Sequence, residues 1–107
     1  MRRRGKKDGN HDAIVERFQD LGCSVAQMHA CGVAGFPDIA VGLSTESGRR
    51  TELVEIKDPS SRYGRAGLNN NQTAFARDWR GSPVYVVSSE DEATVLVQNW
   101  RRPKDNH

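Results

Sequence analysis

Residues 35–57 read GFPDIAVGLSTESGRRTELVEIK. Two apolar runs, 38–43 and 51–57, flank a turn-rich stretch at 44–50, the pattern of two strands joined as a hairpin. Strand side chains alternate from face to face, so Glu55 and Lys57 project from one side and Ile56 from the other. Pairing the two runs carries Asp38, at the start of the first, to the edge reached by Glu55 near the end of the second. Two carboxylates and one ammonium at a single point is how a protein holds a divalent cation and a water beside a phosphate.

The flanking sequence supplies the rest of an α/β domain. Residues 10–21 place Ile14, Val15, Phe18 and Leu21 on one helical stripe, and Gly22 stops the helix. Residues 23–28 (CSVAQM) alternate as a first strand, and 29–36 (HACGVAGF) form a glycine-broken loop. A polar loop, 58–68, follows the hairpin. Residues 69–79 read as a second helix, with Phe75 and Trp79 four apart. Gly81–Ser82–Pro83 breaks the chain before a fourth, apolar strand at 83–87. Ser89 with Glu92 gives a capping-box signature for a last helix through Trp100. The predicted order is α-β-β-β-α-β-α, a central mixed sheet flanked by helices.

Composition bounds the function. At 107 residues the chain is one domain, 36% hydrophobic and 28% charged, with a modest core. No apolar run nears the roughly 20 residues that span a bilayer. MRRRGKK has no apolar segment behind it and is no secretory signal. Cys23 and Cys31 are the only cysteines, which points to a reduced, cytoplasmic chain. His29 and Cys31 lack further ligands at zinc spacing. The net charge of +2 hides an asymmetry: residues 1–7 carry +5, residues 8–100 carry −5 and residues 101–107 carry +2. This divides the chain into a basic arm at 1–9, a domain at 10–100 and a basic tail at 101–107. Either the arms grip a polyanion or they serve only solubility.

The ordered series IVERFQDLGCSV, GFPDIAVG, LVEIKD, LNNNQTAF, Trp79–Arg80–Gly81 and VYVVSSEDEA resembles the PD-(D/E)XK nuclease superfamily. It is most similar there to small stand-alone phage-type nucleases of the VRR-NUC and Holliday junction resolvase-like kind. The resemblance covers about residues 8–93 and implies a restriction-endonuclease-like core. It implies that Asp38, Glu55 and the backbone carbonyl of Ile56 bind Mg²⁺ or Mn²⁺, hard cations suited to oxygen ligands. Lys57 would orient the attacking water or stabilise the charged transition state. Gln72 matches a helix glutamine of these nucleases that can bond Lys57, the water or the DNA backbone. Such a metal-activated water leaves a 5′-phosphate.

One position departs from the pattern. Resolvase-like members often carry a metal-binding glutamate three residues before the pair that is Ile14–Val15 here, and this chain has His11. Helical stepping puts His11 and Asn10 near the inward stripe, with Asp12 and Glu16 largely on the opposite face. His11 is thus a tentative ligand or a contact to water or phosphate, or simply a helix-start histidine.

The same logic extends to neighbouring residues. The Gly32–Gly35 loop just before Asp38 either lets a phosphate backbone approach or is an ordinary turn. Arg62 and Arg65 are placed to hold phosphates across from the metal, as are Arg2, Arg3, Arg4, Lys6 and Lys7. Phe75, Trp79, Trp100 and Met28 read as packing residues. The resulting expectation is a metal-dependent DNA endonuclease selective for branched DNA, acting as a C2 homodimer, in a bacterial host cytoplasm if phage-encoded. The alternative is a non-catalytic DNA-binding or accessory protein that retains the fold.

Overall fold

A two-residue turn, Glu46–Ser47, joins the longest strands, β2 (Ile39–Thr45) and β3 (Gly48–Ile56). The hairpin is longer and its turn tighter than the predicted loop at 44–50. Gly48, at φ +122°, takes a backbone conformation open to glycine, so β3 begins three residues earlier. The computed structural model of the chain describes residues 9–60 and 67–103. The basic arm residues Arg2, Arg3, Arg4, Lys6 and Lys7, the loop arginines Arg62 and Arg65, and Lys104 lie outside the described residues.

Around the hairpin, the elements run α1 (His11–Asp20), β1 (Ser24–Gln27), β2, β3, α2 (Asn70–Asp78), β4 (Tyr85–Val87) and α3 (Glu90–Arg101). The sheet order is β1-β2-β3-β4; the first two pairings are antiparallel, and β3 with β4 is parallel. This is a small α/β fold with a mixed four-stranded sheet. The fourth strand pairs over only Tyr85–Val87, shorter than predicted, because Pro83 has no N–H for a ladder. No helix among the described residues is long and apolar enough to cross a membrane.

Alternation on β3 divides its residues between the two faces. Glu52, Val54 and Ile56 are buried on the face that also carries Ile39, Val41 and Leu43. Helices α1 and α3 cover that face with Ile14, Val15, Phe18, Ala93, Val97 and Trp100. The Phe18 and Trp100 rings stack at 6.2 Å. Helix α1 stops as its sequence predicts. Gly22, at φ +90°, lets its own N–H reach Gln19 O and the Cys23 N–H reach Phe18 O, a Schellman ending.

Helix α2 is held differently. It buries no residue of its own. Phe75 and Trp79 therefore leave the expected core and form a separate cluster with Phe36, at ring distances of 5.1 and 6.4 Å from it. Trp79 remains 44% exposed. The loop before Asp38 packs on the first turn of α2 at Gly35, where an added Cβ would stand 2.1 Å from Asn71 O. Glycine is required there by the protein's own helix. Gly35 also has φ +77°, so Gly35→Ala is expected to lose more than about 1 kcal/mol, read as a lower urea midpoint.

Candidate active site

The hairpin register places the first carboxylate. Ile39 pairs with Val54, so Asp38, one step earlier, stands across from Glu55 one step later. Its main chain is fixed by the Met28 N–H, which donates to Asp38 O at 2.8 Å. Its side chain is fixed by the Ile56 N–H, which donates to Oδ2 at 2.8 Å. The N–H and C=O of one residue in an antiparallel ladder point to the same neighbour. The Ile56 carbonyl thus lies on the Asp38 side of β3.

Glu55 sits on an interior strand and is 3% exposed, which excludes an exposed edge-strand pair with Lys57. Gln72 Nε2 donates to Glu55 Oε2 at 2.7 Å, and Lys57 Nζ stands 3.6 Å from the same oxygen. Burial first, and then the negative charge of Asp38, push the Glu55 carboxyl from its ordinary 4.5 up to about 8; Lys57 opposes the shift. Glu55 and Asp38 thus lie within hydrogen-bonding reach of each other, and burial favours the neutral form of Glu55. Two like charges this close and this dry disfavour each other's ionisation, which Lys57 offsets in part.

Gln72 binds the group together. Its Oε1 accepts from Lys57 Nζ at 3.1 Å and from the Asn69 N–H at 2.9 Å, while its own N–H donates to Asn69 Oδ1 at 2.9 Å. The second half of that exchange is a capping box at the start of α2. One side chain thus caps the helix and fixes the relative positions of Lys57 and Glu55. Lys57 is held from its backbone too. Its N–H donates to Val87 O at 2.9 Å, and its carbonyl accepts from Asn10 Nδ2 at 3.0 Å.

Asp38, Glu55, Lys57 and Gln72 thus come together as the sequence suggests. His11 is buried, but its Nε2 lies 2.8 Å from Gln27 Oε1, and among the described residues no group of three His, Cys, Asp or Glu side chains could hold a metal. The His11 ring nitrogen is thus engaged by Gln27, and His11 belongs to no such group. Asn10 went unrecognised: its Nδ2 also donates to Ser88 O at 2.7 Å, tying α1 to the ends of β3 and β4. Its partners lie 47 and 78 residues away, and no local signal marks it. The Asn69–Gln72 capping box did have one, the spacing of a cap residue and a glutamine three apart.

Two carboxylates and a carbonyl are hard oxygen donors. Magnesium keeps several waters and is commonly held by one or two carboxylates plus substrate phosphate, so the donor set fits Mg²⁺ or Mn²⁺ and not zinc. Binding would have to displace the Glu55 proton. No protein-family model matches the chain, and neither a curated protein nor a solved structure was found similar to it.

The Glu55 shift has a stability consequence. A carboxyl whose folded-state pKa is raised stabilises the fold fully below about 4.5 and loses that contribution as pH rises through about 8. Metal-free Glu55→Gln is expected to melt above the wild type at pH 9, with the gap closing by pH 5. Added Mg²⁺ should raise the wild-type melting temperature at pH 9 and leave that of Glu55→Gln unchanged. Parallel melts across pH, with and without Mg²⁺, measure both.

Proposed function

We propose that this protein is a metal-dependent endonuclease that hydrolyses DNA phosphodiester bonds. The observation that carries the reading is the convergence of Asp38, Glu55, Lys57 and Gln72 at one end of the sheet, with Glu55 buried beside a second carboxylate. The helix-first order and the parallel β3–β4 crossover agree with the restriction-endonuclease-like core implied by the resemblance to PD-(D/E)XK nucleases.

In this reading Asp38, Glu55 and the Ile56 carbonyl hold Mg²⁺ or Mn²⁺, which when bound acidifies a water and neutralises phosphate charge. Glu55 gives up its proton as the site is filled. Lys57 presents its ammonium as a point charge to the attacked phosphate or to the attacking water. Gln72 keeps that ammonium from swinging away and spends no charge doing so. The acidic site is set against basic arms, which suits a polyanionic substrate. Preference for branched DNA, a C2 homodimer and a cytoplasmic setting belong to the same proposal.

Labelled plasmid, linear duplex, single strand, flap and four-way junction, incubated with Mg²⁺, Mn²⁺ or EDTA, test the reading. Cleavage should require metal. Asp38→Ala and Lys57→Ala should each cut at least about 10²-fold slower. Binding without cleavage under every metal condition would overturn the assignment in favour of a DNA-binding or accessory protein. Gln72→Ala, which leaves both carboxylates in place, should cost about 10- to 100-fold, in cleavage rate or in the Mg²⁺ concentration required.

A further inference from the structure

Six residues back along β3 from Glu55 stands Arg49, at the hairpin end. By alternation Arg49, Thr51, Leu53, Glu55 and Lys57 project from one face, opposite the face on which Glu52, Val54 and Ile56 are buried. At about 3.3 Å per residue, Arg49 lies about 20 Å from Glu55. Between the β2–β3 turn and the end of α3 there is a cavity of about 360 Å³, lined in part by Arg49, Arg50, Arg101 and Arg102.

Two of these arginines already serve the fold. Arg50 clamps Glu52 through Nε and Nη2, at 2.6 and 2.5 Å from Oε2, and reaches Trp100 O with Nη1 at 3.3 Å. Arg101 Nη2 donates to Leu21 O at 2.6 Å. Arg49 and Arg102 are exposed and form no ion pair among the described residues. Glu46 and Glu52 are the acidic residues of the lining, which also includes the four arginines. Trp100, 5% exposed, has an indole N–H buried from solvent and without a partner among the described residues, and Ser47 and Ser82 also line the cavity. Glu52 Oε1 is also without a partner, but its carboxylate is neutralised by Arg50.

We propose that this cavity is a second phosphate site, which takes the sugar–phosphate backbone of the nucleic acid whose cleavage is proposed above. Guanidinium forks without an ion-pair partner among the described residues, as at Arg49 and Arg102, are the chemistry of phosphodiester recognition. The identity of the ligand rests on the nuclease reading. Phosphates of a duplex rise about 3.4 Å per strand along the helix axis, so about 20 Å along that axis places the contact about six phosphates from the bond at the carboxylates. The protein then measures a length of backbone: the acidic end of β3 holds the scissile phosphate through a cation, and the basic end holds the strand directly.

The test is binding of labelled duplexes in EDTA, followed by fluorescence anisotropy over a salt series. For a duplex of about 20 base pairs, Arg49→Ala/Arg102→Ala should bind about tenfold more weakly and reduce the slope of log K against log salt by about 1.8, or 0.9 per lost phosphate contact. In EDTA the acidic end of β3 has no cation with which to hold phosphate, so a shorter duplex seated at the basic end alone should show the same loss in the variant. Arg49→Gln/Arg102→Gln should repeat the result and guards against a folding defect in the alanine pair. An unchanged slope on the long duplex, or no affinity of the wild type for any duplex, would overturn the second site. Absent metal-dependent cleavage with the slope change intact would remove the nuclease reading alone and leave the phosphate site standing.

Discussion

The burial of Glu55 is the constraint on which the site depends. An interior strand carries it, a helix side chain covers it, and a second carboxylate faces it. Each feature disfavours its charge. The covering helix, α2, buries no residue of its own. It is held by the Phe36–Phe75–Trp79 cluster, by the close approach at Gly35, and by Gln72. A hydrogen bond to an ionised acceptor is stronger than one to a neutral acid. Gln72 thus ties the seating of α2 to the carboxylate it covers.

The location of the site follows from topology. Carrying the chain from β3 to a parallel β4 needs a crossover, and α2 lies within it. The start of that crossover is the C-terminal end of β3, where Lys57 leaves the ladder. Open α/β sheets bind ligands outside the carboxyl ends of their strands. Here Asp38 arrives at the same end because β2 runs antiparallel to β3. Asn10 closes the arrangement from the other side, bridging Lys57 O and Ser88 O. Three elements distant in sequence thus meet around one short stretch of backbone.

Much of this was legible in the chain. Period-two alternation in 51–57 and a turn before it locate the hairpin, and the hairpin brings Asp38 to Glu55. Helix stops such as Gly22 are local chemistry and read correctly. The Ser89–Glu92 signature was half right: Ser89 Oγ accepts from the Glu92 N–H, but the Glu92 side chain takes the Ser88 N–H instead. What stayed illegible depends on tertiary context. Phe75 and Trp79 show helical core spacing, yet their helix lies away from the main core, so periodicity reports an apolar face without naming its partner. A buried Glu52 breaks the apolar pattern of the core face and is intelligible only once Arg50 is seen beside it.

The two buried glutamates of β3 make the argument for function sharper than either does alone. Glu52 and Glu55 lie three residues apart on opposite faces, 2% and 3% exposed. At Glu52 the chain supplies a guanidinium with two N–H groups on one carboxylate oxygen, which is how a protein makes a buried charge tolerable. At Glu55 it supplies an amide, an ammonium 3.6 Å away and a second carboxylate. The same strand that gives one buried acid a close guanidinium pair gives its neighbour only a longer ammonium contact, opposed by a second carboxylate. A fold selected only for stability gains nothing from the second arrangement, since an apolar residue would pack there at no electrostatic cost. A divalent cation between Asp38 and Glu55 would remove the conflict, which is the physical ground for the proposed metal site.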